Sequence, residues 1–574
     1  MIGPLEICLF DKENLASKSP SEKYTRLCLQ DEGSPSVLIE ESLKKLTNNS
    51  PQNEKYSLGY TLYIPLLKLF KSNEYDFDID TNSIKRIANT INNTDKPVVL
   101  YLFSDHFKVG SLIEDLLSKN KANILQTKKG TLPIDQYYGE KIYPWSFVDK
   151  DNEITHLREK SINAVLDEVC KLPTKAIERI AGITMLGEIH HMFPDFQAGM
   201  GFSGDYLITD YSEKSIQGFQ DFLAEKFSSI LYLNKHLDSN YSSFKEIHPP
   251  SKNIRIERLN NYFEHIDAYA HGVIPISGWI ARKSNSLAAK DWIHIYKNGE
   301  FLVRTPATFG RQDVLTAHPE LPSSDVGWQY NLNYSKMPTG IYSLDIFLES
   351  QDNSLVHLGS RQISIMDKSQ STPTQKISKN IINKVPPDKS IIFSIDTPLD
   401  LASYYYNPLA ILWHGFRKEQ ISSYIKHFAD IAKNKCIRPE LIYSHQILPF
   451  SNPGWDETKF GVGRDLAVPK TVRLGVSLYG EASYGTSFFE WFSHTQRTAY
   501  GVTEFHPLKK MNAQELGFVL DAHYKNNAQF LSFFLGSVGL DENPKYEPYI
   551  FGIDPQNKYA GSDVLFYSLK EILK

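Results

Sequence analysis

The feature that most constrains the fold of this chain is an alternation of short, continuously apolar segments with amphipathic segments of helical periodicity. Residues 58–66 (LGYTLYIPL) and 97–103 (PVVLYLF) are almost wholly apolar, and between them Ile84, Ile87 and Ile91 recur at helical spacing. Apolar strands that alternate with amphipathic helices are typical of a parallel sheet whose faces are covered by helices. The sequence therefore predicts an α/β fold.

The same unit recurs along most of the chain. Apolar segments that fit a buried strand lie at residues 4–10, 58–66, 97–103, 183–188, 440–446, 472–479, 500–507 and 529–535. Eight parallel strands are the number that closes a (β/α)8 TIM barrel. We therefore expect a barrel, with strands 1–4 within residues 1–267 and strands 5–8 within residues 390–574.

A different pattern interrupts this alternation. Residues 268–367 contain short alternating strands and the pair Asn298-Gly299, which indicates a tight hairpin. This stretch predicts an inserted all-β sandwich domain. Residues 368–389 are polar and flanked by proline, as expected of a linker that returns the chain to the barrel.

Composition excludes several classes of function. The net charge of −5 comes without a long basic run, which argues against a nucleic-acid partner or a membrane-bound role. The 4 cysteines are scattered and form no CxxC pair, so we expect core thiols. No secretory leader is recognisable, so the expected location is the cytoplasm. We expect no cofactor, and a homo-oligomer is compatible with the sequence.

Two glutamates follow predicted strands at the places where barrel active sites lie. Glu188 ends the fourth strand and Glu504 lies near the end of the seventh, so both carboxylates should point into the mouth of the barrel. Cleavage of a glycosidic bond needs such a pair, in which one group protonates the leaving oxygen and the other attacks the anomeric carbon or activates water. The sequence therefore predicts a glycoside hydrolase that acts on an oligosaccharide or polysaccharide.

This arrangement resembles the clan A glycoside hydrolases, which carry the acid/base on strand 4 and the nucleophile on strand 7. Residues 75–102 and 219–243 are similar to stretches of the family 42 β-galactosidases. The resemblance implies a retaining mechanism with Glu188 as acid/base and Glu504 as nucleophile, and a tyrosine of strand 6, here Tyr479, that contacts the nucleophile. The chain departs from the clan at Gly187, where an asparagine usually binds the sugar 2-hydroxyl.

Further residues at strand ends and in connections suit a sugar site. Polar groups can bind hydroxyls, and aromatic rings can stack on the apolar face of a pyranose. The candidate substrate-binding residues are Asp105, His106, Trp145, His190, His191, His445, Gln446, Trp455, Tyr479 and Glu481, with Trp413 as a further stacking candidate. His190 and His191 are adjacent and cannot share a helical face as zinc ligands do, so we expect no metal.

Other interpretations remain open at the level of sequence. Glu481 is a rival nucleophile, because it also follows a predicted strand. The phrase GEIHHMFPDF, which begins at Gly187, resembles a motif of the inverting family 14 β-amylases. A catalytically inactive carbohydrate-binding barrel would have one carboxylate in the mouth instead of two. A scaffolding role would require an apolar patch on residues 268–367.

Overall fold

The computed structural model describes residues 5–10, 22–30, 33–47, 55–72, 77–202, 204–282, 291–350, 354–368, 384–452, 454–535 and 549–574. Within these ranges no helix combines the length and the apolar character needed to cross a bilayer.

Within these ranges, sixteen strands build the four larger sheets. In chain order they are β1 (Tyr60–Pro65), β2 (Val98–Phe103), β3 (Ile180–Leu186), β4 (Val273–Arg282), β5 (Trp292–Lys297), β6 (Glu300–Pro306), β7 (Phe309–Gly310), β8 (Asp325–Asn333), β9 (Gly340–Glu349), β10 (Leu355–Ile365), β11 (Ile391–Thr397), β12 (Ala402–Tyr404), β13 (Ile442–Tyr443), β14 (Leu474–Tyr479), β15 (Tyr500–His506) and β16 (Ala528–Leu531). Three small hairpins pair Phe70–Ser72 with Phe77–Ile79, Gln126–Thr127 with Gly130–Thr131, and Asp135–Tyr137 with Glu140–Ile142.

The α-helices of the described residues, in the same order, are α1 (Leu5–Phe10), α2 (Glu22–Leu29), α3 (Ser36–Thr47), α4 (Thr81–Asn92), α5 (Leu112–Leu117), α6 (Glu153–Val169), α7 (Thr174–Ile177), α8 (Glu213–Phe227), α9 (Ile230–Leu237), α10 (Gln312–Ala317), α11 (Pro408–Lys433), α12 (Glu457–Phe460), α13 (Glu481–Tyr484), α14 (Thr486–His494), α15 (Ala513–Lys525) and α16 (Ser562–Ile572).

Seven strands run parallel in a continuous order. β1, β2, β3 and β13 form one sheet and β14, β15 and β16 a second. Two parallel bridges, Tyr443 to Arg473 and Gln446 to Val476, join the sheets between β13 and β14. All six residues of β2 are buried, which explains the unbroken apolar pattern of its sequence.

Side chains connect the two ends of this series of strands. The hydroxyl oxygens of Thr61 in β1 and Ser532, just after β16, are 2.6 Å apart. The ring of Phe530 in β16 lies so close to Gly182 in β3 that a Cβ atom there would be 3.0 Å from it. Side chains therefore fill the space between strands that are not neighbours. Among the described residues, backbone pairing does not continue from β16 to β1.

The predicted first strand is a helix, and this prediction is wrong. Residues 5–10 form α1, and residue 4 lies outside the described part. Leu5, Cys8 and Leu9 are all buried and are spaced as on one helical face. A short apolar run fits a buried helix as well as a buried strand, so the sequence alone could not separate the two.

The region after Ala268 folds into two antiparallel sheets with a separate core. One sheet has the order β7-β8-β4-β11, and the other has β6-β5-β9-β10-β12, with parallel pairing only between β10 and β12. Trp328 is fully buried in their shared core. Asn298 and Gly299 both have positive φ, as a hairpin turn of this kind requires.

The extent of these sheets differs from the predicted boundary at residue 367. β11 pairs with β4 and β12 with β10, so the antiparallel region extends to Tyr404. The apolar run of β11 resembles a buried barrel strand in sequence, and its partner is 100 residues or more away along the chain. Most of the predicted linker, residues 369–383, lies outside the described part.

The cysteines form two disulfides, Cys8–Cys28 and Cys170–Cys436. The prediction of core thiols is therefore wrong. The second bridge links the end of α6 to the segment before β13, across 266 residues of sequence. Such a pairing cannot be deduced from cysteine spacing.

Candidate active site

Glu188 stands just after β3, on a turn that excludes a side chain at the preceding position. Gly187 has a φ of +83°, and a Cβ atom there would be 2.9 Å from the Asp105 carboxylate. Asp105 accepts hydrogen bonds from the backbone N–H groups of Phe107, at 2.8 Å, and Glu188. Asp105 therefore occupies the space that an asparagine at position 187 would need.

Buried Arg158 of α6 fixes the end of the neighbouring strand. Its guanidinium donates to the hydroxyl of Ser104 at 2.9 Å, to the Ser104 carbonyl at 2.5 Å and to the Tyr424 hydroxyl at 3.0 Å. Ser104 directly follows β2 and precedes Asp105 and His106. The arginine thus holds the backbone that carries both residues to the site.

Glu504 lies in β15 and receives two phenolic hydrogen bonds. Tyr479 donates to Oε2 at 2.7 Å and Tyr101 donates to Oε1 at 3.2 Å. Burial raises the pKa of the Glu504 carboxyl, while the two hydroxyl donors pull the pKa downward because they favour the charged form. The contact of Tyr479 with Glu504 is the one that the resemblance to clan A implies.

The carboxylates of Glu188 and Glu504 lie close to each other. One carboxylate oxygen of Glu188, one of Glu504 and a ring nitrogen of His445 all lie within 4.8 Å of one another. Both glutamate side chains are half-buried, so solvent reaches them, whereas His445 is buried. A reacting group of the size of an acetal carbon could therefore contact both carboxylates.

The surroundings of Glu188 favour its neutral form. Burial and the adjacent Glu504 raise the pKa of the Glu188 carboxyl to about 8, against one opposing hydrogen bond from Ser477. The Ser477 hydroxyl also lies 2.6 Å from Nε2 of His445, and burial lowers the pKa of that imidazole to about 3. The site therefore combines a carboxyl whose surroundings favour the neutral form with a second carboxyl to which two phenols donate hydrogen bonds.

Four of the predicted substrate-binding residues offer polar groups that the described protein leaves without a partner. Each is buried, and the atoms are Nε2 of His106, Nε2 of His190, Nδ1 of His445 and Oε1 of Gln446. The rings of His106 and His190 lie 5.1 Å apart, beside the segment that carries Glu188. Because buried polar groups normally have partners, these atoms are suited to bind hydroxyl groups of a ligand or water.

The other predicted residues lie in different surroundings. His191 uses both ring nitrogens on the protein, towards Thr209 and the carbonyl of Arg417, each at 3.2 Å. The carboxylate of Glu481 accepts from Ser487 at 2.9 and 3.0 Å and is not part of the cluster of Glu188, His445 and Glu504. Glu504, and not Glu481, is thus the carboxylate that faces Glu188.

The three tryptophans proposed as sugar platforms also differ in position. Trp145 is 4% exposed and stacks on Tyr143, and Trp413 is fully buried in an aromatic core with Phe416. These contacts correspond to core packing. Trp455 is half-buried and lies on the ring of Phe460, with the ring centroids 5.5 Å apart.

Sequence reasoning missed Tyr101, Ser477 and an aromatic rim. Ser477 stands two residues before Tyr479 in β14 and thus on the same face, a period-2 signal that could have identified it. The rim begins at Phe551, whose ring lies 5.2 Å from Tyr479 and 5.7 Å from Tyr549. Burial and both site glutamates raise the pKa of Tyr549, which places this tyrosine within electrostatic reach of the pair.

Glu188, His445 and Glu504 carry side-chain groups of types that can bind a metal ion. Zinc in proteins is bound by histidine nitrogens and by carboxylate oxygens, among other ligands. The hydrogen bonds of Ser477 and of the two tyrosines already engage both carboxylates. Removal of bound metal by a chelator would abolish metal-assisted chemistry and leave carboxylate chemistry unchanged.

Comparisons with known proteins give matches among solved structures only. No family model matches the sequence, and the comparison with curated proteins gives no match. A β-galactosidase from Marinomonas ef1 is 8% identical, with a TM-score of 0.44, over 93% of this chain and 56% of the enzyme. The catalytic domain of a β-amylase from Paenibacillus polymyxa is 10% identical, also with a TM-score of 0.44, over 93% of this chain and 94% of that domain.

A β-galactosidase from Halorubrum lacusprofundi is similar at 9% identity and a TM-score of 0.43, over 94% of this chain. The match covers 56% of that enzyme, so the chain spans little more than half the length of both β-galactosidases.

Proposed function

We propose that this protein is a retaining glycoside hydrolase with Glu188 as general acid/base and Glu504 as nucleophile. The observation that carries the proposal is the carboxylate pair, whose nearest oxygens lie within 4.8 Å and whose surroundings differ. Retaining enzymes hold their two carboxyl groups about 5–5.5 Å apart, whereas inverting enzymes hold them about 6.5–9.5 Å apart to admit a water.

The proposed reaction has two steps. Glu188, neutral at pH 7, protonates the glycosidic oxygen while Glu504 attacks the anomeric carbon, so the leaving group departs with the proton and a glycosyl ester forms on Glu504. Glu188, now a carboxylate, then removes a proton from water, which attacks the same carbon and releases Glu504. Tyr479 and Tyr101 stabilise the charge of Glu504 before attack and after release.

The proposed fold is a (β/α)8-like barrel with an inserted sandwich. The support is the parallel order of seven strands, the Thr61–Ser532 contact between their ends and the packed interior at Phe530. Both glutamates then lie at the carboxyl ends of barrel strands, where such enzymes have their active sites. We propose an oligosaccharide or polysaccharide as substrate, and a β-galactoside is the first linkage to test.

The decisive experiment compares Glu188→Ala and Glu504→Ala on aryl glycosides, with product stereochemistry followed by NMR. Glu504→Ala should lose turnover of every substrate, because no ester can form. Glu188→Ala should still cleave a glycoside with an activated phenol, and azide should accelerate its turnover and give a glycosyl azide of the substrate's own configuration. Wild-type turnover by Glu504→Ala, or an inverted sugar from the wild-type enzyme, would contradict the proposal.

A metal-assisted hydrolase is the second candidate, favoured by the convergence of Glu188, His445 and Glu504. The two proposals differ in their response to chelation. If the carboxylates supply both the proton and the nucleophile, dialysis against EDTA should leave kcat unchanged. Loss of activity that zinc restores would favour the metal-assisted reaction.

A further inference from the structure

The hydroxyl of Ser477 connects the Glu188 carboxyl to the ring of His445. Ser477 hydrogen-bonds to Glu188, and its Oγ lies 2.6 Å from Nε2 of His445. The three residues come from different segments, since Glu188 follows β3, His445 follows β13 and Ser477 lies in β14. Two hydrogen bonds in series therefore link a buried imidazole to the proposed acid/base.

Backbone hydrogen bonds hold Ser477 against the segment that carries His445. The N–H of Ser477 donates to the carbonyl of Gln446 at 3.1 Å, and the N–H of Gln446 donates to the carbonyl of Gly475 at 2.9 Å. On the other side, β14 pairs with β15, where Glu504 is the register partner of Ser477. Neighbours on both sides thus fix the backbone from which the serine hydroxyl projects.

The number of protons determines the direction of the two hydrogen bonds. A serine hydroxyl has one proton, so Ser477 can donate to only one of its partners at a time. An ionised carboxylate can only accept, so when Glu188 is ionised the Ser477 proton must point towards it. Nε2 of His445 must then carry the ring proton and donate to Oγ of Ser477.

His445 is suited to donate in this way. Burial lowers the pKa of its imidazole to about 3, so the ring is neutral at pH 7 and holds one proton. Nδ1 has no hydrogen-bond partner within the described ranges, so no protein group there draws the proton away from Nε2. The ring therefore supplies a donor without adding a charge to the site.

The ionised form of Glu188 arises during the proposed reaction. Glu188 gives its proton to the glycosidic oxygen in the first step and takes a proton from water in the second. A negative charge that develops on a buried carboxyl without a donor is costly, and a hydrogen bond to it lowers that cost. A donor to this carboxylate therefore makes proton transfer to the leaving oxygen more favourable.

We propose that Ser477 and His445 are positioning residues for Glu188, in which the imidazole donates through Nε2 to the serine hydroxyl and the hydroxyl donates to the Glu188 carboxylate as it gives up its proton. The inference rests on the proposed function, because it requires Glu188 to act as general acid/base. Neither Ser477 nor His445 exchanges a proton with the sugar.

The test compares two glycosides of the same sugar, one with an alkyl leaving group, which needs protonation, and one with a dinitrophenyl leaving group, which does not. Both are assayed with enzyme dialysed against EDTA, so that bound metal does not contribute. Ser477→Ala should lower kcat/KM about tenfold or more for the alkyl glycoside, because a hydrogen bond to a charged group is lost. The loss for the dinitrophenyl glycoside should be less than about threefold, because its departure needs little proton transfer.

Two substitutions of His445 test its contribution. Glutamine offers an amide N–H donor in place of Nε2–H, whereas leucine offers none. His445→Leu should show the same selective loss as Ser477→Ala, and His445→Gln should retain most of the activity on both glycosides. Ser161→Ala is the matched control, because the hydroxyl of this buried serine of α6 contacts backbone carbonyls, and both values of kcat/KM should stay unchanged.

The double variant Ser477→Ala/His445→Leu separates this route from a second contact of the histidine ring. His445 also packs edge-on against Tyr101, with the ring centroids 5.0 Å apart, and Tyr101 donates to Glu504. If His445 acts through Ser477, the double variant should be no slower on the alkyl glycoside than Ser477→Ala alone. Additive losses would mean that His445 acts by another route.

The outcomes separate this inference from the proposed function. The inference is overturned if Ser477→Ala leaves both glycosides unaffected or slows both equally, or if the losses in the double variant are additive. Thermal unfolding checks that each variant is folded, and if one single variant does not fold, the comparison of the two glycosides with the other decides. The proposed function fails, and this inference with it, if the wild-type enzyme hydrolyses no aryl glycoside or if Glu504→Ala retains turnover.

Discussion

Glu188 and Glu504 carry the same functional group in different hydrogen-bonding environments. Ser477 alone donates to Glu188 in the described structure, and a second carboxylate lies beside it, whereas two phenols donate to Glu504. The first environment favours the neutral acid and the second the anion. The proposed division of roles between the two residues rests on this difference.

This difference predicts the pH dependence of the reaction. In the proposed reaction, cleavage of glycosides with poor leaving groups requires protonated Glu188, whose pKa of about 8 sets the alkaline limit. We expect kcat/KM to fall above about pH 8, and the fall to be weaker for aryl glycosides with activated phenols. The measurement is a pH profile for both substrate types, and identical alkaline limbs would contradict the assignment.

The hydrogen bond from Tyr479 should lower the pKa of Glu504, the proposed nucleophile. Tyr479→Phe removes the 2.7 Å hydrogen bond, which raises the pKa of Glu504 and so moves the acidic limb of the profile to higher pH. Activity at neutral pH should fall about tenfold or more, since a hydrogen bond to a charged group contributes about 1.5–3 kcal/mol. Tyr101→Phe, with the longer contact, should have the smaller effect, and Tyr342→Phe, which alters a tyrosine of β9 in the antiparallel sheets, should have none.

The raised pKa of Glu188 also predicts a cost in stability. A carboxyl whose folded pKa lies above its unfolded value of 4.5 contributes no penalty below that value and destabilises the fold progressively as the pH rises towards 8. Glu188→Gln should therefore raise the melting temperature at pH 8 and leave it nearly unchanged at pH 4. Calorimetry at both pH values tests this, and an equal rise at pH 4 would exclude the electrostatic cause.

The residues at strand ends could be predicted from the sequence, but their partners could not. Glu188, Glu504 and Tyr479 follow from the position of apolar runs, because the carboxyl ends of parallel strands meet at one edge. Ser477 shares a face of β14 with Tyr479, but its hydrogen bond to Glu188 depends on the register between β14 and β15, which changes at Ser477. A single sequence contains no direct signal for such an irregularity.

At the scale of elements, one buried arginine of α11 hydrogen-bonds to loops that are distant in sequence. The Arg417 guanidinium donates to the carbonyls of Thr209, Thr458 and Lys459, the last at 2.8 Å. Its own carbonyl lies 3.2 Å from the His191 ring. One side chain thus connects α11 to two segments, at Thr209 and at Thr458–Lys459, that are far apart in sequence.

Arg417→Met should be strongly destabilising. The substitution preserves most of the side-chain volume but leaves three carbonyl oxygens without their donor, at a cost of about 3 kcal/mol or more. Lys418→Ala is the matched control, because its ion pair with Asp465 is partly exposed and should contribute less than about 1 kcal/mol. Urea unfolding of both variants gives the free energies of unfolding, and equal losses would contradict the stabilising role of Arg417.

Which helices and strands could be predicted depended on patterns within short segments of the sequence. The periodicity of α4 and the apolar run of β2 identified both correctly. The residues of α1 were assigned to a strand, and those of β11 fell within the range assigned to the second part of the barrel. A short, mostly apolar run fits a helix, a barrel strand or a sandwich strand equally well. Only contacts with distant residues decide between these structures.

At the scale of the whole molecule, the Cys170–Cys436 disulfide connects the strands on either side of the inserted region. It closes 266 residues of sequence, whereas Cys8–Cys28 closes 20. In the chain-entropy description, the longer loop contributes about 5 kcal/mol to stability and the shorter one about 3 kcal/mol. The Cys170→Ser/Cys436→Ser variant should therefore lose more stability than Cys8→Ser/Cys28→Ser. Thermal unfolding of both variants checks the order, and a reversed order would contradict it.

The position of the antiparallel region in the sequence determines how late in synthesis both glutamates of the site are present. Glu188 and Glu504 belong to the same pair of carboxylates, yet the whole antiparallel region is translated between them. A ribosome that adds 5–20 residues per second needs roughly 15–60 s to pass from one to the other. For most of that interval, until β13 is made, the first three parallel strands lack the strand that pairs with β3. A nascent chain of this protein is therefore exposed to chaperones for longer than the length of its parallel strands and helices alone would suggest.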